Sequence, residues 1–426
     1  MSELIEISNE LLDYMKHHPI INIGTLGSVS HGKSTLVSML TGTKTQRHST
    51  EQIRNITIKP GYANLKIWQD EDTFEFTTTN SETYEMEGFR LVHHISFVDC
   101  PGHQELIQVM LGSVSLMKGA IVVVSAGEDI KSAKQLTQHL AAAKLANLEN
   151  LIVLFNKLDV VEKSLAIERK EELDILLSKL GINPKIIIPT VLSKRLGYQN
   201  IIKSILKIFP PKIDDNKDYP LFRILRSFDI NKPGISWDLV KGGVLGGSLL
   251  AGNLQVGDKI VIKPGDFRKK NDGTWIITPF ETIIKSIKTE EVYINNTKPG
   301  GLIAFGTDID PFYCKDEKLE GQVLGLPGKL PPVFYEIKIK IILTEDFDGK
   351  WIPKLNDSIY LQIGNINIQA TLINMDKDIF TFKLSKPVCI QDNDLILICS
   401  DMENKLFRIV GYGNFILDNS KFIKEL

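Results

Sequence analysis

Apolar runs and amphipathic stretches alternate along the first half of the chain. Nearly continuous apolar runs at 120–125 and 151–155 have the pattern of strands that are buried on both faces. Apolar positions at 132–145 and 164–180 recur instead with a helical period. Because such strands need helices on either side to cover them, the alternation predicts a mostly parallel sheet with helices on both faces.

The pattern changes after two prolines and a charged run at 210–217. Short runs rich in Val, Ile and Thr then alternate with Gly and Asn turns, which is typical of all-β barrels. A Gly- and Pro-rich break at 325–332 divides this half into two β series. The predicted domains are a leader at 1–18, an α/β domain at 19–211, and β-barrel domains at 218–326 and 331–426. The leader is either a short amphipathic helix or a frayed segment.

A match to G-x-x-x-x-G-K-[ST] follows the first predicted strand and precedes the first helix of the α/β domain. Its glycines allow a tight turn in which several N–H groups, together with a helix N-terminus, point at a phosphate. Lys33 is expected to reach the β- and γ-phosphates, and the Ser34 hydroxyl to ligate Mg²⁺. The motif comprises Gly27, Ser28, Val29, Ser30, His31, Gly32, Lys33, Ser34 and Thr35.

Two further segments supply candidates for hydrolysis. Asp99 ends the predicted strand 95–98 and can hold a water on Mg²⁺, while the N–H of Gly102 can reach the γ-phosphate and His103 can lie near the attacking water. Thr57 can close over Mg²⁺ and the γ-phosphate in the triphosphate state. Alone, these segments are an ordinary Pro-Gly turn and a β-rich stretch. Their order behind the phosphate loop favours the functional interpretation.

The base is indicated by N-K-x-D directly after the strand 151–155. In this motif, formed by Asn156, Lys157 and Asp159, the carboxylate accepts hydrogen bonds from N1–H and N2–H₂ of guanine. Adenine lacks that donor pair and would leave the carboxylate unpaired, which disfavours it by a factor on the order of 10⁴. Ser193 and Lys194 form a weak match to the loop that backs the guanine ring, although a generic polar loop explains them as well.

These motifs together predict an α/β P-loop GTPase domain that binds GTP or GDP with Mg²⁺, followed by two all-β barrel domains. The catalytic candidates are His103, Thr57 and Lys33, and the metal candidates are Ser34 and Thr57 directly and Asp99 through water. No arginine in a motif serves plainly as an internal arginine finger. We therefore expect slow intrinsic hydrolysis that a partner accelerates.

The amino-acid composition adds expectations about partners, metal sites and location, and it does not change the predicted GTPase class. The 426 residues carry a formal net charge of −2, so contact with nucleic acid must come from local basic patches. The four cysteines include no C-x-x-C pair, and we expect reduced thiols and no zinc site. No run of eighteen apolar residues and no signal peptide is found, so we expect a cytoplasmic protein without a membrane contact.

Several longer segments resemble the gamma subunit of eukaryotic and archaeal translation initiation factor 2, within the elongation factor Tu superfamily. The resemblance covers roughly 19–415 and rests on the segments 54–64, 226–234, 241–248, 321–325 and 411–413. It implies the core of a heterotrimer with alpha and beta subunits that carries initiator methionyl-tRNA to the small ribosomal subunit. It also implies a GTPase-activating factor, a nucleotide-exchange factor, and an apolar gate formed by Val29 and Ile56.

The chain departs from that family at several positions. Ser28 stands where His is usual, Gln104 follows the D-C-P-G-H turn in place of Asp, and the stretch 68–88 lacks the cysteines of a zinc knuckle. Two other functions therefore stay open at this point. One is an elongation-type GTPase that resembles the selenocysteine-specific factor, and the other is a GTP-binding scaffold that has lost hydrolysis. A basic run at 268–270, expected in a barrel loop, is either an RNA contact or a solvated face.

Overall fold

A computed structural model of the chain describes residues 3–43, 61–101, 107–213, 219–290, 292–343, 345–346, 349–350, 352–392, 394–401 and 407–423. The chain divides into two compact units, Met1–Ile213 and Asp214–Leu426. No helix within these described ranges combines the length and the apolar character that crossing a membrane would need.

The first unit is the α/β domain that the alternating pattern predicts. Its sheet has the strand order β3-β2-β4-β1-β5-β6-β7, in which β4, β1, β5, β6 and β7 run parallel and the β2–β3 hairpin is antiparallel. The elements are α1 (Asn9–His17), β1 (Ile21–Leu26), α2 (Lys33–Thr41), β2 (Gly61–Asp70), β3 (Phe76–Thr79), β4 (Phe89–Asp99), α3 (Ile107–Val114), β5 (Gly119–Ser125), α4 (Lys134–Leu145), β6 (Leu151–Asn156), α5 (Lys163–Lys179), β7 (Ile186–Pro189) and α6 (Tyr198–Ile208).

The central strands are apolar throughout because both of their faces are covered. All residues of β5 and β6 are buried, and helices α2 and α6 pack on one side of the sheet with Leu36, Val37, Ile201 and Ile205. In a parallel sheet the carboxyl ends of the strands meet at one edge. The ends of β1, β4 and β6 carry the phosphate loop, Asp99 and Asn156, so the fold assembles these sequence motifs at that edge.

The N-terminal segment forms helix α1, which resolves the alternative left open by its sequence. Ser8 caps the helix by accepting a hydrogen bond from the Leu11 N–H, at 3.3 Å. On the inner face, Met15 is fully buried against Ile20, Trp68 and Leu91. The helix is therefore packed against the sheet of the α/β domain.

The second unit consists of two antiparallel β structures. An eight-stranded sheet in the order β12-β11-β17-β8-β9-β16-β13-β14 surrounds one core, and a closed barrel in the order β18-β23-β22-β21-β24-β25 surrounds another. The strands are β8 (Leu221–Phe228), β9 (Val244–Ala251), β10 (Leu254–Gln255), β11 (Lys259–Lys269), β12 (Trp275–Ile283), β13 (Ser286–Thr289), β14 (Val292–Ile294), β15 (Asn296–Thr297), β16 (Ile303–Gly306), β17 (Val323–Gly325), β18 (Val333–Leu343), β19 (Glu345–Asp346), β20 (Gly349–Lys350), β21 (Ser358–Ile363), β22 (Ile366–Asp376), β23 (Ile379–Cys389), β24 (Leu395–Asp401) and β25 (Phe407–Phe422).

The loop predicted for 268–270 is wrong for two of its three residues. Arg268 and Lys269 belong to strand β11, not to a loop, and pair with Ile276 and Trp275 of β12. The strand continues past a register shift between Ile262 and Asp266, which the alternation of side chains alone does not reveal. Lys270 lies in the turn between β11 and β12, so two of the three charged residues lie on an arm of a long hairpin and one lies in its loop.

Candidate nucleotide-binding site

The phosphate loop follows β1 and needs glycine at two positions. Gly27 and Gly32 have φ of 134° and 111°, and Ser30 has φ of 63°. A Cβ on Gly27 would lie 2.2 Å from the carbonyl oxygen of Val123, and one on Gly32 would lie 2.7 Å from Nδ2 of Asn156. The last three residues of the motif, from Lys33 on, belong to α2, so the N-terminus of that helix lies at the loop, as the expected phosphate site requires.

Lys33 lies folded over this loop. Its Nζ donates hydrogen bonds to the carbonyl oxygens of Gly27 and Ser28, each at 2.8 Å, and the residue is only 5% exposed. Burial lowers the pKa of Lys33 from its ordinary 10.5 to about 8, while nearby Asp99 opposes the shift. The ammonium group of Lys33 is therefore buried and bonded to two backbone carbonyl oxygens of the loop.

Oxygen donors suited to Mg²⁺ lie beside the lysine. The Ser34 hydroxyl donates to Oδ2 of Asp99 at 2.8 Å, and the Thr25 hydroxyl donates to Oδ1 of Asp99 at 2.8 Å. Asp99 is fully buried at the end of β4, paired in register with Thr25 of β1. Hydroxyl and carboxylate oxygens are the donors that Mg²⁺ prefers, so this pair fits the metal that the motifs imply.

Asn156 connects the phosphate loop with the base side of the site. Its Nδ2 donates to the carbonyl oxygen of His31 at 2.9 Å, and its Oδ1 accepts the Leu192 N–H at 3.1 Å. Lys157 follows with φ of 63° and starts the short 3-10 turn Leu158–Val160. The turn places Asp159 on the same edge of the sheet as the phosphate loop.

The weakly matching segment at Ser193 and Lys194 lies next to this carboxylate. Both residues belong to the 3-10 turn Leu192–Lys194, and Lys194 Nζ is 2.9 Å from Oδ2 of Asp159. The hydrogen bond from Lys194 lowers the pKa of Asp159 below its ordinary value. The structure thus brings the two base-side motifs together through an ion pair.

Three residues predicted for the site, Thr57, Gly102 and His103, lie outside the described residues, as does Ile56 of the expected gate. Their assignments stay predictions. The described part of the site comprises the phosphate loop, Asp99, and the segments around Asn156 and Leu192.

Two residues outside the sequence motifs accept hydrogen bonds from backbone N–H groups of the phosphate loop. Nδ1 of His139 accepts the Gly27 N–H at 3.0 Å, and Oε1 of Gln135 accepts the Val29 N–H at 3.3 Å. Burial lowers the pKa of His139 to about 3, which keeps its ring neutral and able to accept. Both side chains come from α4, and their place after a buried strand is the only sequence signal that points to them.

Comparison with known proteins identifies the family. Residues 18–211 match the model of the elongation factor Tu GTP binding domain, and 340–415 match the model of the C-terminal part of initiation factor eIF2 gamma. The chain is 34% identical over 418 residues to the eukaryotic translation initiation factor 2 subunit gamma of Encephalitozoon cuniculi, covering 95% of this chain and 94% of that protein. The chain belongs to the family of initiation factor 2 gamma subunits.

A second relative supports this assignment. Eukaryotic translation initiation factor 2 subunit 3 of Drosophila melanogaster is 34% identical over 442 residues, which cover 97% of this chain and 91% of that protein. As a member of the initiation factor 2 gamma family, the chain is a translational GTPase that acts in initiation. The resemblance and the activity predicted from the motifs are confirmed.

Solved structures share the fold. A bacterial selenocysteine-specific elongation factor, EF-Sec, superposes with a TM-score of 0.68 at 22% identity, over 93% of this chain and 58% of that one. Elongation factor SelB from Methanococcus maripaludis, in complex with the GTP analogue GppNHp, gives a TM-score of 0.68 at 20% identity, over 96% of this chain and 80% of that one. At this identity the likeness supports the predicted fold class, a P-loop GTPase domain with β-barrel domains, and says nothing of the substrate.

Proposed function

We propose that this gamma-family chain is the GTP-binding core of a heterotrimer that carries initiator methionyl-tRNA to the small ribosomal subunit. The observation that carries the proposal is the likeness to initiation factor 2 gamma subunits over almost the whole chain, the β-barrel half included. A likeness confined to residues 18–211 would leave the delivered RNA open, because those residues match an elongation factor model.

The nucleotide is proposed to bind at the edge of the sheet. GTP or GDP would lie with its phosphates on the Gly27–Thr35 loop and its base against Asn156, Lys157 and Asp159, backed by Ser193 and Lys194. Asn156 supports this placement because it bonds to the phosphate loop and to Leu192 at once. The buried Lys33 would stabilise the negative charge of the β- and γ-phosphates.

Mg²⁺ is proposed to be held by Ser34 and Thr57 directly and by Asp99 through water. The bond from Ser34 to Asp99 supports the pairing, since it brings a neutral and an anionic oxygen ligand within 2.8 Å. When bound, the metal would neutralise charge on the phosphates. His103 would orient the attacking water, and Gly102 would contact the γ-phosphate.

Membership of the family also supports a proposal for the partners and the location of the chain. We propose alpha and beta subunits, a GTPase-activating factor and a nucleotide-exchange factor as partners, and the cytoplasm as the location. The proposed domains are a leader at 1–18, a GTP-binding domain at 19–211, and β-barrel domains at 218–326 and 331–426. Helix α1 packs on the first unit and so supports a leader that is joined to the GTP-binding domain.

The deciding experiment is a filter-binding comparison of initiator and elongator methionyl-tRNA, with the chain assembled with its two partner subunits. We expect tighter binding of initiator methionyl-tRNA, and only with GTP. Equal affinity for both tRNAs, or no difference between GTP and GDP, would contradict the proposal. Preference for another aminoacyl-tRNA would favour an elongation-type factor, and binding without any factor-stimulated GTP hydrolysis would favour a scaffold.

A further inference from the structure

The side chain of His31 is turned into the protein, although it belongs to the phosphate loop. The residue is 1% exposed and directly precedes Gly32. Its Nδ1 lies 3.0 Å from the carbonyl oxygen of Val123, and its Nε2 lies 2.7 Å from Oε2 of Glu128. The imidazole therefore ties the phosphate loop to β5 and to the segment that follows β5.

Both neighbours of the ring are hydrogen-bond acceptors. A ring with hydrogen on both nitrogens donates to the two of them, whereas a ring with one hydrogen satisfies only one. The hydrogen bond to His31 is the largest cause that lowers the pKa of Glu128, and Lys157 and Lys33 add to it. Since the Glu128 side chain is 44% exposed, solvent screens the attraction, and the effect of the pair lies in geometry more than in stability.

The segment that follows Glu128 is held by two ion pairs to α5. Asp129 pairs with Nη1 of Arg169 at 3.2 Å, and Lys131 pairs with Oε1 of Glu172 at 3.1 Å. Arg169 also bonds to the buried Glu172 at 2.8 Å within α5. The backbone beside Glu128 is thus anchored on a helix, which limits where its carboxylate can lie relative to the ring.

The backbone of His31 is held at the same time by the Nδ2 of Asn156. Two side-chain bonds and one backbone bond therefore set the orientation of the peptide groups on either side of His31. In a phosphate loop these peptide N–H groups point at the ligand, and fixing them beforehand reduces the ordering cost of binding. Losing one anchor should therefore shorten the time that a nucleotide stays bound.

We propose that Glu128 is a positioning residue of the nucleotide site, which acts through the imidazole of His31 to hold the phosphate loop in its binding conformation. This rests on the proposed nucleotide site, and it adds a residue that lies outside every nucleotide-binding motif of the chain. Glu128 makes no contact with the nucleotide in this role.

The test is the dissociation rate of mant-GDP from the full-length chain with Mg²⁺, measured by stopped-flow fluorescence. Glu128→Ala should raise the rate about tenfold, the effect of losing a hydrogen bond to a charged group. Glu128→Gln keeps an oxygen that accepts from Nε2 and should recover part of the loss. Glu149→Ala is the control, because it removes an exposed carboxylate from the segment between α4 and β6, and its rate should stay within about twofold.

A double-mutant cycle with His31→Gln separates positioning from a general effect of charge. In the His31→Gln background Glu128→Ala should change the rate no further, and the melting temperature without nucleotide should stay the same. An equal effect in both backgrounds, or an unchanged rate for Glu128→Ala, would overturn the proposal. Should Glu128→Ala not fold, Glu128→Gln in both backgrounds carries the same comparison. A wild-type chain that does not bind mant-GDP would instead contradict the nucleotide site itself.

Discussion

The side-chain amide of Asn156 donates a hydrogen bond to the backbone carbonyl oxygen of His31 at 2.9 Å, across 125 residues of sequence. The same amide accepts the Leu192 N–H at 3.1 Å. One buried side chain therefore joins the loop expected to bind the phosphates with both segments expected to bind the base. We therefore expect a change at Asn156 to affect both the phosphate loop and the segment at Leu192.

Asn156→Ala should weaken nucleotide binding and the fold together. The substitution leaves a buried carbonyl oxygen and a buried N–H without their partner, which costs about 1–3 kcal/mol. We expect GDP affinity to fall at least about tenfold by isothermal titration calorimetry, with a parallel loss in urea unfolding. Thr190→Val is the control, since it removes only contacts of 3.4 Å and 3.5 Å beside the same amide. A similar loss in both variants would contradict the role of Asn156.

Gly27→Ala should abolish the binding conformation of the phosphate loop. A side chain there would meet the Val123 carbonyl oxygen at 2.2 Å, and φ of 134° disfavours any L residue. We expect more than about a hundredfold loss of GDP affinity, because the backbone must move before a phosphate can bind. Gly42→Ala is the matched control at the end of α2, with φ of 70° and nothing within 4 Å of its Cβ. It should lower stability by about 1 kcal/mol and leave GDP affinity unchanged.

Lys33 should make nucleotide binding depend on pH. Because burial lowers the pKa of Lys33 to about 8 in the free site, the ammonium form is lost as pH rises through that value, and a bound phosphate must restore it. Affinity for GDP should therefore be constant below about pH 7 and fall above pH 8, with proton uptake on binding. Calorimetry in buffers of different ionisation enthalpy measures that uptake. Lys33→Arg, which stays charged, should bind without it, and equal uptake in both proteins would contradict the assignment.

The lowered pKa of Lys33 should also affect the stability of the protein without nucleotide. A lysine whose folded pKa lies below its unfolded value of 10.5 binds fewer protons in the folded state between about pH 8 and pH 10.5. Its contribution to the free energy of unfolding therefore becomes more favourable as pH rises through that window. Stability and nucleotide affinity should change in opposite directions above pH 8.

The packing of α1 can be tested through Met15. Its side chain is fully buried against Ile20, Trp68 and Leu91, so Met15→Ala should lower the free energy of unfolding by about 2–3 kcal/mol. Urea denaturation followed by circular dichroism measures this change. Asp13→Ala on the exposed face of the same helix should stay within about 0.5 kcal/mol. Equal stability of Met15→Ala and the wild type would show that α1 contributes nothing to the fold.

Local pattern was sufficient for the fold class and for most elements of the α/β domain. Apolar runs and their helical spacing predicted the strands and helices around residues 120–208, and each motif was expected at the end of a strand, where the structure has Asp99 and Asn156. Strand β12 is an element that pattern alone does not define, because Trp275–Ile283 has no clean alternation and is held by its partner β11. Pairing between strands, not propensity, decides such a segment.

Contacts between distant residues explain what the sequence could not show. Glu128 and His31 are 97 residues apart, and His139 and Gly27 are 112 apart. The spacing of residues in the sequence therefore predicts neither contact. Lys194 was only a weak match to the loop that backs the guanine ring. Its ion pair with Asp159 joins two loops that follow different strands, and the motif does not show this contact. Sequence motifs identify groups that contact a ligand, whereas the groups that hold those motifs in place become visible only in the folded chain.

Asp159 is proposed to select the base, so its substitution should change the preferred nucleotide. The carboxylate of Asp159 is expected to accept from N1–H and N2–H₂ of guanine, and Asp159→Asn replaces it by an amide. Xanthine carries an oxygen in place of the amino group of guanine, and the amide N–H can donate to that oxygen. GDP affinity should fall by at least about a hundredfold while affinity for xanthosine diphosphate rises. Lys194→Ala provides the comparison, because it removes the exposed partner at 2.9 Å and leaves the carboxylate, so GDP affinity should fall no more than about threefold. Competition against mant-GDP measures both variants, and an unchanged preference in Asp159→Asn would mean that another group reads the base.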